Sequence, residues 1–309
     1  PNEIAPLSSI VRPHAAIITQ VAEVHTENFN NLEEIAAAKA EIFKGMNSNG
    51  TAILNRDHYL FNNLVGSAKR YGIDRIFTFG EHEMADARLL SCSLKEGSSV
   101  AAFKIGGCKV SCEIGATGRH VVLNSLSVLA TAYVLGIDVE SAAAALKNFK
   151  SPKGRGQNRR VLWHGGSFVL IDESYNASPI SMEAAIDVLS AIKPKGAGRR
   201  VAIIGDMLEL GARAEALHAS LLELLISGGI DLVYTAGSLT RALWDSLPVE
   251  LRGGYAANAK ELAPILVDAL VNGDVIMVKG SRGSQMDEIV KALEALEYEV
   301  EVSKAVNGA

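Results

Sequence analysis

Short apolar runs recur along the chain, each followed by a longer stretch whose apolar positions return every three or four residues. That alternation of periods predicts strands followed by helices. AAIIT (15–19), TAILN (51–55) and DRIFTFG (74–80) read as buried strands. NNLEEIAAAKAEIFKGM (30–46) reads as a helix, with Asn30 or Asn31 as N-cap. Glu33 and Glu34 fall in its first turn, where the helix dipole favours them. HYLFNNLVGSAKRYG (58–72) reads as a second helix, closed by Gly72. Residues 87–116 change character to short alternating runs split by Gly and Ser pairs, the pattern of an antiparallel meander. Helices are predicted over 119–136 and 139–149.

The basic, Pro-broken segment SPKGRGQNRR (151–160) marks a domain boundary. Beyond it, strands at about 167–171, 199–206, 232–237 and 274–280 alternate with helices at about 179–192, 212–227, 258–270 and 284–296. Regular β–α alternation predicts a mostly parallel sheet with helices on both faces. The fold class is therefore α/β. A central domain with a mostly parallel sheet and a meander (1–156) precedes a Rossmann-like doubly wound domain (157–309).

Ligands of such sheets bind beyond the carboxyl ends of the strands, so the residues there become candidates. Asp172-Glu173-Ser174-Tyr175-Asn176 follows one strand, Asp206 another, and Lys279-Gly280-Ser281-Arg282-Gly283 the last. Two cations beside two glycines suit an anion, because backbone and charge can approach it together. Asp206 alone reads more readily as a helix cap. In the first half, Gly118, Arg119 and His120 precede a helix that carries Asn124. Amide groups at a helix start favour an anion, and an Asn amide can read an adenine edge. The alternative is that Asn124 bonds locally. His25 at a strand end and Lys39 on the next helix are, taken alone, a structural histidine and a surface charge.

Composition narrows the classes. With 309 residues, 48% apolar and 21% charged, the chain is a globular protein large enough for two cores. A net charge of −5 argues against a nucleic-acid binder. Three cysteines, Cys92, Cys108 and Cys112, do not make a disulfide framework. Cys108 and Cys112 share a strand face and read as small core residues. No stretch approaches the roughly 18 apolar residues of a membrane span. The first residues do not read as a signal peptide, and a cytoplasmic location is the default expectation. The motifs G-x-G-x-x-G, G-x-x-x-x-G-K-[ST], H-E-x-x-H and G-x-S-x-G are all absent.

NEIAPLSSIVRPHAAIIT, the stretch from His25 to AAAKAEIF, GRHVVLNSL, KGRG, IDESYNASPISMEAAI, GDMLELG and VKGSRG together resemble the Mur ligase family. The branch they are most similar to joins D-alanyl-D-alanine to UDP-N-acetylmuramoyl-tripeptide for peptidoglycan. The resemblance implies ATP and Mg²⁺ as cofactors, an acyl phosphate, a monomer, and no nucleic-acid or membrane partner. It implies that His25 and Lys39 are metal ligands, Lys39 after carbamylation by CO₂. An ammonium has no lone pair for a metal, whereas a carbamate offers the oxygen that Mg²⁺ prefers. His120 and Asn124 resemble the adenine-side contact, Arg155 the arginine that reaches the ATP phosphates, and Glu173 the carboxylate that holds the ribose. Lys279 resembles a catalytic group. Tyr175, Asn176, Ser281 and Arg282 resemble contacts to the incoming dipeptide and the nucleotide.

The chain also departs from the family. The P-loop, the N-terminal UDP-binding domain and an acidic magnesium ligand are expected upstream of NEIAPLS. The 309-residue chain alone is therefore expected to be inactive and less stable than its parent. Val121 stands where asparagine often follows the histidine, Ser178 where asparagine is usual, and Glu173 where aspartate is common. The other readings are a different Mur ligase, a folylpolyglutamate synthase-like ligase, or a non-catalytic metabolite-binding α/β protein.

Overall fold

The computed structural model describes residues 3–22, 29, 31–164 and 166–307, with side chains to residue 297. The chain divides into two compact units. The first comprises residues 1–94, 98–115 and 119–149, and the second 95–97, 116–118 and 150–309.

The first unit opens with helix α1 (Ile4–Val11) and strand β1 (Ala15–Ile18). Helix α2 (Leu32–Ala40), β2 (Thr51–Asn55), α3 (Phe61–Arg70) and β3 (Arg75–Gly80) follow. The meander is β4 (Ala87–Lys95), β5 (Ser98–Ile105) and β6 (Cys108–Ile114), before α4 (Arg119–Val134) and α5 (Val139–Ala145). The six strands form one sheet in sequence order. The pairs from β1 to β4 are parallel, and β5 with β6 is antiparallel. Helices α2 and α3 and the turn after α2 cover one face, with Ile35, Leu64 and Phe43 against Ala52 and Leu54. Helix α4 covers the other, with Val122, Leu126 and Leu129 against Ile53, Phe79 and Phe103.

Asn31 is the cap of α2, its Oδ1 accepting from the Glu34 N–H at 2.9 Å. The helix is shorter than its apolar period predicts, because residues Glu41–Gly45 tighten into a 3-10 turn. Ser8 of α1 explains this. Its hydroxyl donates to the Ile42 carbonyl and accepts from the Gly45 N–H, so α1 takes over groups that an α-helix would use. The core reading of Cys108 does not hold. It shares a face with buried Val110 and Ile114 but is exposed, because it starts β6 directly after the Gly106-Gly107 turn, at the end of the sheet. Cys112 on the same face is half-buried.

The second unit begins with β7 (Gln157–Trp163) and β8 (Gly166–Glu173), followed by α6 (Pro179–Ala191) and β9 (Arg200–Gly205). Next come α7 (Ala214–Ala219), α8 (Leu221–Ser227), β10 (Leu232–Ala236), α9 (Arg241–Ser246) and β11 (Arg252–Ala256). Helix α10 (Ala259–Asp268), β12 (Val275–Lys279) and α11 (Asp287–Asn307) complete it. The sheet order is β11-β10-β9-β12-β8-β7, parallel except for β7 against β8. Alternate residues of each strand enter opposite apolar layers, as a doubly wound fold requires. Val169, Ile171, Ala202 and Met277 pack under α6 to α9, while Leu170, Val201, Ile203 and Val278 pack under α10 and α11.

This order decides where a ligand crevice can form. Strands β8 and β9 lead into helices on one face, and β12, lying between them, leads into α11 on the other. Connections therefore diverge on both sides of β12, and its carboxyl end is the topological switch point.

Candidate functional site

Three loops meet around that switch point: 173–178 after β8, 206–211 after β9, and 280–286 after β12. Each is fixed by buried polar groups.

Asp172, the penultimate residue of β8, is buried with 4% exposure. Its Oδ2 accepts from the Gly154 N–H at 2.9 Å, and its Oδ1 accepts from the Ser174 N–H at 3.1 Å and hydroxyl at 2.6 Å. Its carbonyl accepts from the Gly156 N–H at 2.8 Å, and the Tyr175 N–H donates to the Gly154 carbonyl at 3.0 Å. The KGRG segment is thus bound along the end of β8. Gly154 and Gly156 have φ of +76° and +86°, a backbone region that glycine adopts without cost. Arg155 between them is exposed, with its guanidinium 4.2 Å from the Tyr175 ring centroid. The Arg282 guanidinium lies 5.8 Å from the same centroid. Tyr175 is itself exposed.

Next to this rim, Glu173 and Lys279 form a buried pair. Lys279 Nζ lies 3.5 Å from Glu173 Oε2 and donates to the Asn176 carbonyl at 2.9 Å. The two side chains keep 2% and 12% exposure. Burial pushes the Glu173 carboxyl up and the Lys279 ammonium down, so both move towards neutrality. Desolvation outweighs an attraction that would hold both charged. Ser281 is buried: its hydroxyl accepts from the Leu208 N–H at 2.9 Å, and its N–H donates to the Asp206 carbonyl at 2.9 Å.

Asp206 does not cap the helix that follows it. Its Oδ1 accepts from the Thr240 N–H at 2.9 Å, which links two loops. His218 belongs to none of the motifs at the strand ends. This fully buried imidazole accepts the Met207 N–H at Nε2 (2.8 Å), and its Nδ1 bonds the Ala214 carbonyl (2.7 Å). The signal available was its place on the apolar face of α7, which also fits a core residue.

The structure thus gathers Arg155, Glu173, Tyr175, Asn176, Lys279, Ser281 and Arg282 at one sheet edge of the second unit. Lys39, His120 and Asn124 lie in the first unit. Lys39 is half-buried in the last turn of α2. His120 is half-buried and Asn124 exposed at the start of α4, which covers the opposite face of that sheet. His25 lies outside the described residues. Among the described residues no cluster of His, Cys, Asp or Glu could hold a metal ion. Two exposed guanidiniums sharing one ring concentrate positive charge, and forked donors of this kind suit phosphate or carboxylate.

The profile described as the Mur ligase middle domain matches residues 1–132, and that described as the Mur ligase, glutamate ligase domain matches residues 154–282. The UDP-N-acetylmuramoyl-tripeptide–D-alanyl-D-alanine ligase of Rickettsia prowazekii is 34% identical over 94% of this chain and 63% of its own length. The Escherichia coli ligase of that name is 32% identical over 95% of this chain and 63% of its own. This chain therefore spans about 63% of these relatives. The crystal structure of MurF ligase from Thermotoga maritima in complex with ADP aligns with a TM-score of 0.82 and 26% identity, covering 97% of this chain and 66% of that one. MurF from Acinetobacter baumannii aligns with a TM-score of 0.84 and 25% identity, covering 95% and 62%. The chain belongs to the Mur ligase family and carries that family's middle domain and its glutamate ligase domain.

Proposed function

We propose that this chain is the larger part of an ATP-dependent amide ligase that joins D-alanyl-D-alanine to UDP-N-acetylmuramoyl-tripeptide in cytoplasmic peptidoglycan precursor synthesis. The observation that carries the reading is the pair of guanidiniums, Arg155 and Arg282, over Tyr175 at the switch point. The relatives named for this reaction and the ADP complex of a similar structure support it. The first unit is assigned to the ATPase part and the second to the part that receives the dipeptide.

ATP supplies the phosphoryl group that activates the tripeptide carboxylate, and the dipeptide amine then displaces phosphate. The chain's own residues position and stabilise. By their match to the family motifs, Arg155 is assigned to the phosphates, Glu173 to the ribose, and His120 and Asn124 to the adenine. Tyr175, Asn176 and Arg282 are assigned to the incoming dipeptide and the nucleotide, while buried Ser281 holds the loop at Leu208 and Lys279 holds Asn176 behind them. Preorganised cations of this kind supply most of the stabilisation of a transferring phosphoryl group. Lys39, half-buried in the last turn of α2, is assigned as the lysine that is carbamylated. With His25 it would ligate Mg²⁺, whose charge offsets that of the phosphates.

The test is phosphate release by the full gene product that contains this chain. Release should require ATP, the UDP-linked tripeptide and D-alanyl-D-alanine together. Arg155→Ala should lower kcat about 10²-fold. The 309-residue chain alone should show no turnover. Nucleotide binding with no release under any combination would favour the non-catalytic reading. Release with glutamate as acceptor would favour the folylpolyglutamate synthase-like one.

A further inference from the structure

We propose that Asp172 is a positioning residue for Arg155, fixing where the guanidinium stands before any ligand arrives. The inference rests on the reading of Arg155 as the group that faces phosphate. Arg155 sits between two residues whose N–H groups both end on Asp172. The Gly154 N–H reaches the carboxylate at 2.9 Å and the Gly156 N–H the carbonyl at 2.8 Å. Two such pins restrict the backbone at the Cα between them. The two positive-φ glycines allow the tight path, and a Cβ at Gly154 would lie 2.9 Å from Tyr175 Cβ. The return bond from the Tyr175 N–H to the Gly154 carbonyl, at 3.0 Å, places the ring under the guanidinium.

Asp172 does not face the ligand itself. It is buried, and its carboxylate already accepts from three donors, the N–H of Gly154 and the N–H and hydroxyl of Ser174. Its neighbour Glu173 is turned to Lys279 instead, as alternation along a strand requires. An exposed arginine on a loop would ordinarily sample many rotamers. Locking its backbone and supplying a ring removes that search, and misplacement by about 1 Å can cost 10²-fold in rate.

Asp172→Asn keeps the shape but turns an amide N–H₂ towards either Gly154 or Ser174, so one donor loses its acceptor. The experiment compares wild type, D172N, R155A and D172N/R155A in the full gene product, with melting temperature followed alongside. D172N should raise KM for ATP or lower kcat by about tenfold or more, with KM for D-alanyl-D-alanine unchanged. On the R155A background D172N should add nothing, because the residue it positions is gone. If D172N does not fold, S174A replaces it: it removes a donor that orients the Asp172 carboxylate and should show the same non-additivity. An equal, additive loss on both backgrounds would overturn the proposal and assign Asp172 to the fold alone. So would full activity of D172N beside a crippled R155A. Undiminished turnover by R155A would overturn both this inference and the reading beneath it.

Discussion

A lysine that exposes 2% of its side chain has to find its partners inside the protein, and Lys279 finds two. Its ammonium holds the Asn176 carbonyl and faces Glu173, so it ties the loop after β8 to the end of β12. At a strand end in the sequence, Lys279 looks like an exposed cation ready for an anion. The structure instead places it below the rim and leaves the surface to Arg155 and Arg282. Removing one partner of a buried pair leaves the other desolvated and alone. Lys279→Met should therefore cost about 3 kcal/mol of unfolding free energy, the low end of such losses because Glu173 can take a proton. Adding Glu173→Gln should recover much of that. Urea unfolding of wild type and the two variants checks it, and a double variant no more stable than Lys279→Met would remove the pair from the account.

At the scale of elements, the sequence was legible where an amphipathic period was undisturbed and silent where polar or small residues did structural work. Strands β8, β9, β10 and β12 stood out because they are buried on both faces. Strand β7 did not, since QNRRVLW reads as a basic linker. It is an edge strand whose Arg159 reaches Glu294 and Glu297 of α11. Strand β11 was hidden by Gly253 and Gly254, which lie against the Tyr234 ring, where a Cβ at Gly253 would come within 2.4 Å. The helix read over 212–227 is two, broken at Ser220, whose hydroxyl donates to the Leu217 carbonyl. Glycines separate in the same way. A Cβ on Gly280 would meet Ser284 Oγ at 2.4 Å, Met286 Cγ at 2.5 Å and Gly205 Cα at 3.1 Å, whereas one on Gly66 of α3 would meet nothing within 4 Å. Gly280→Ala should destabilise by about 2 kcal/mol through overpacking. Gly66→Ala should stabilise by up to about 1 kcal/mol through helix propensity. Denaturation midpoints that move in the same direction for both would contradict this packing account.

For the molecule as a whole, each unit carries its own pair of apolar layers around its own sheet. One buried side chain of the second unit, His218, makes its own contribution to the pH response. Burial pushes the His218 imidazolium below its ordinary value of 6.5, against the pull of the Ala214 carbonyl and Asp206. The unfolded chain therefore binds a proton at a higher pH than the folded one. The stability that depends on a neutral His218 is fully present above pH 6.5 and is lost as pH falls from there through the folded value. Protonation would also take away the acceptor of the Met207 N–H and loosen the 206–211 loop. His218→Gln keeps an acceptor without the titration, so its unfolding free energy should change less between pH 7 and pH 5 than that of wild type. An identical pH slope in both would show that other groups govern the response.

By itself the sequence determined the fold class and the family. Both are written locally, in hydrophobic period and in short contiguous motifs such as IDESYNASP, KGRG and VKGSRG. It also marked the residues at the strand ends, because a strand's carboxyl end is a local property. Tertiary structure alone decided that the last strand, β12, inserts between β8 and β9, which makes its end the switch point. Sheet order is a long-range pairing that no local pattern records. The same long-range contacts decided that Asp172, next to Glu173 in the chain, reaches back 18 residues to fix Gly154, while Glu173 meets a lysine 106 residues away.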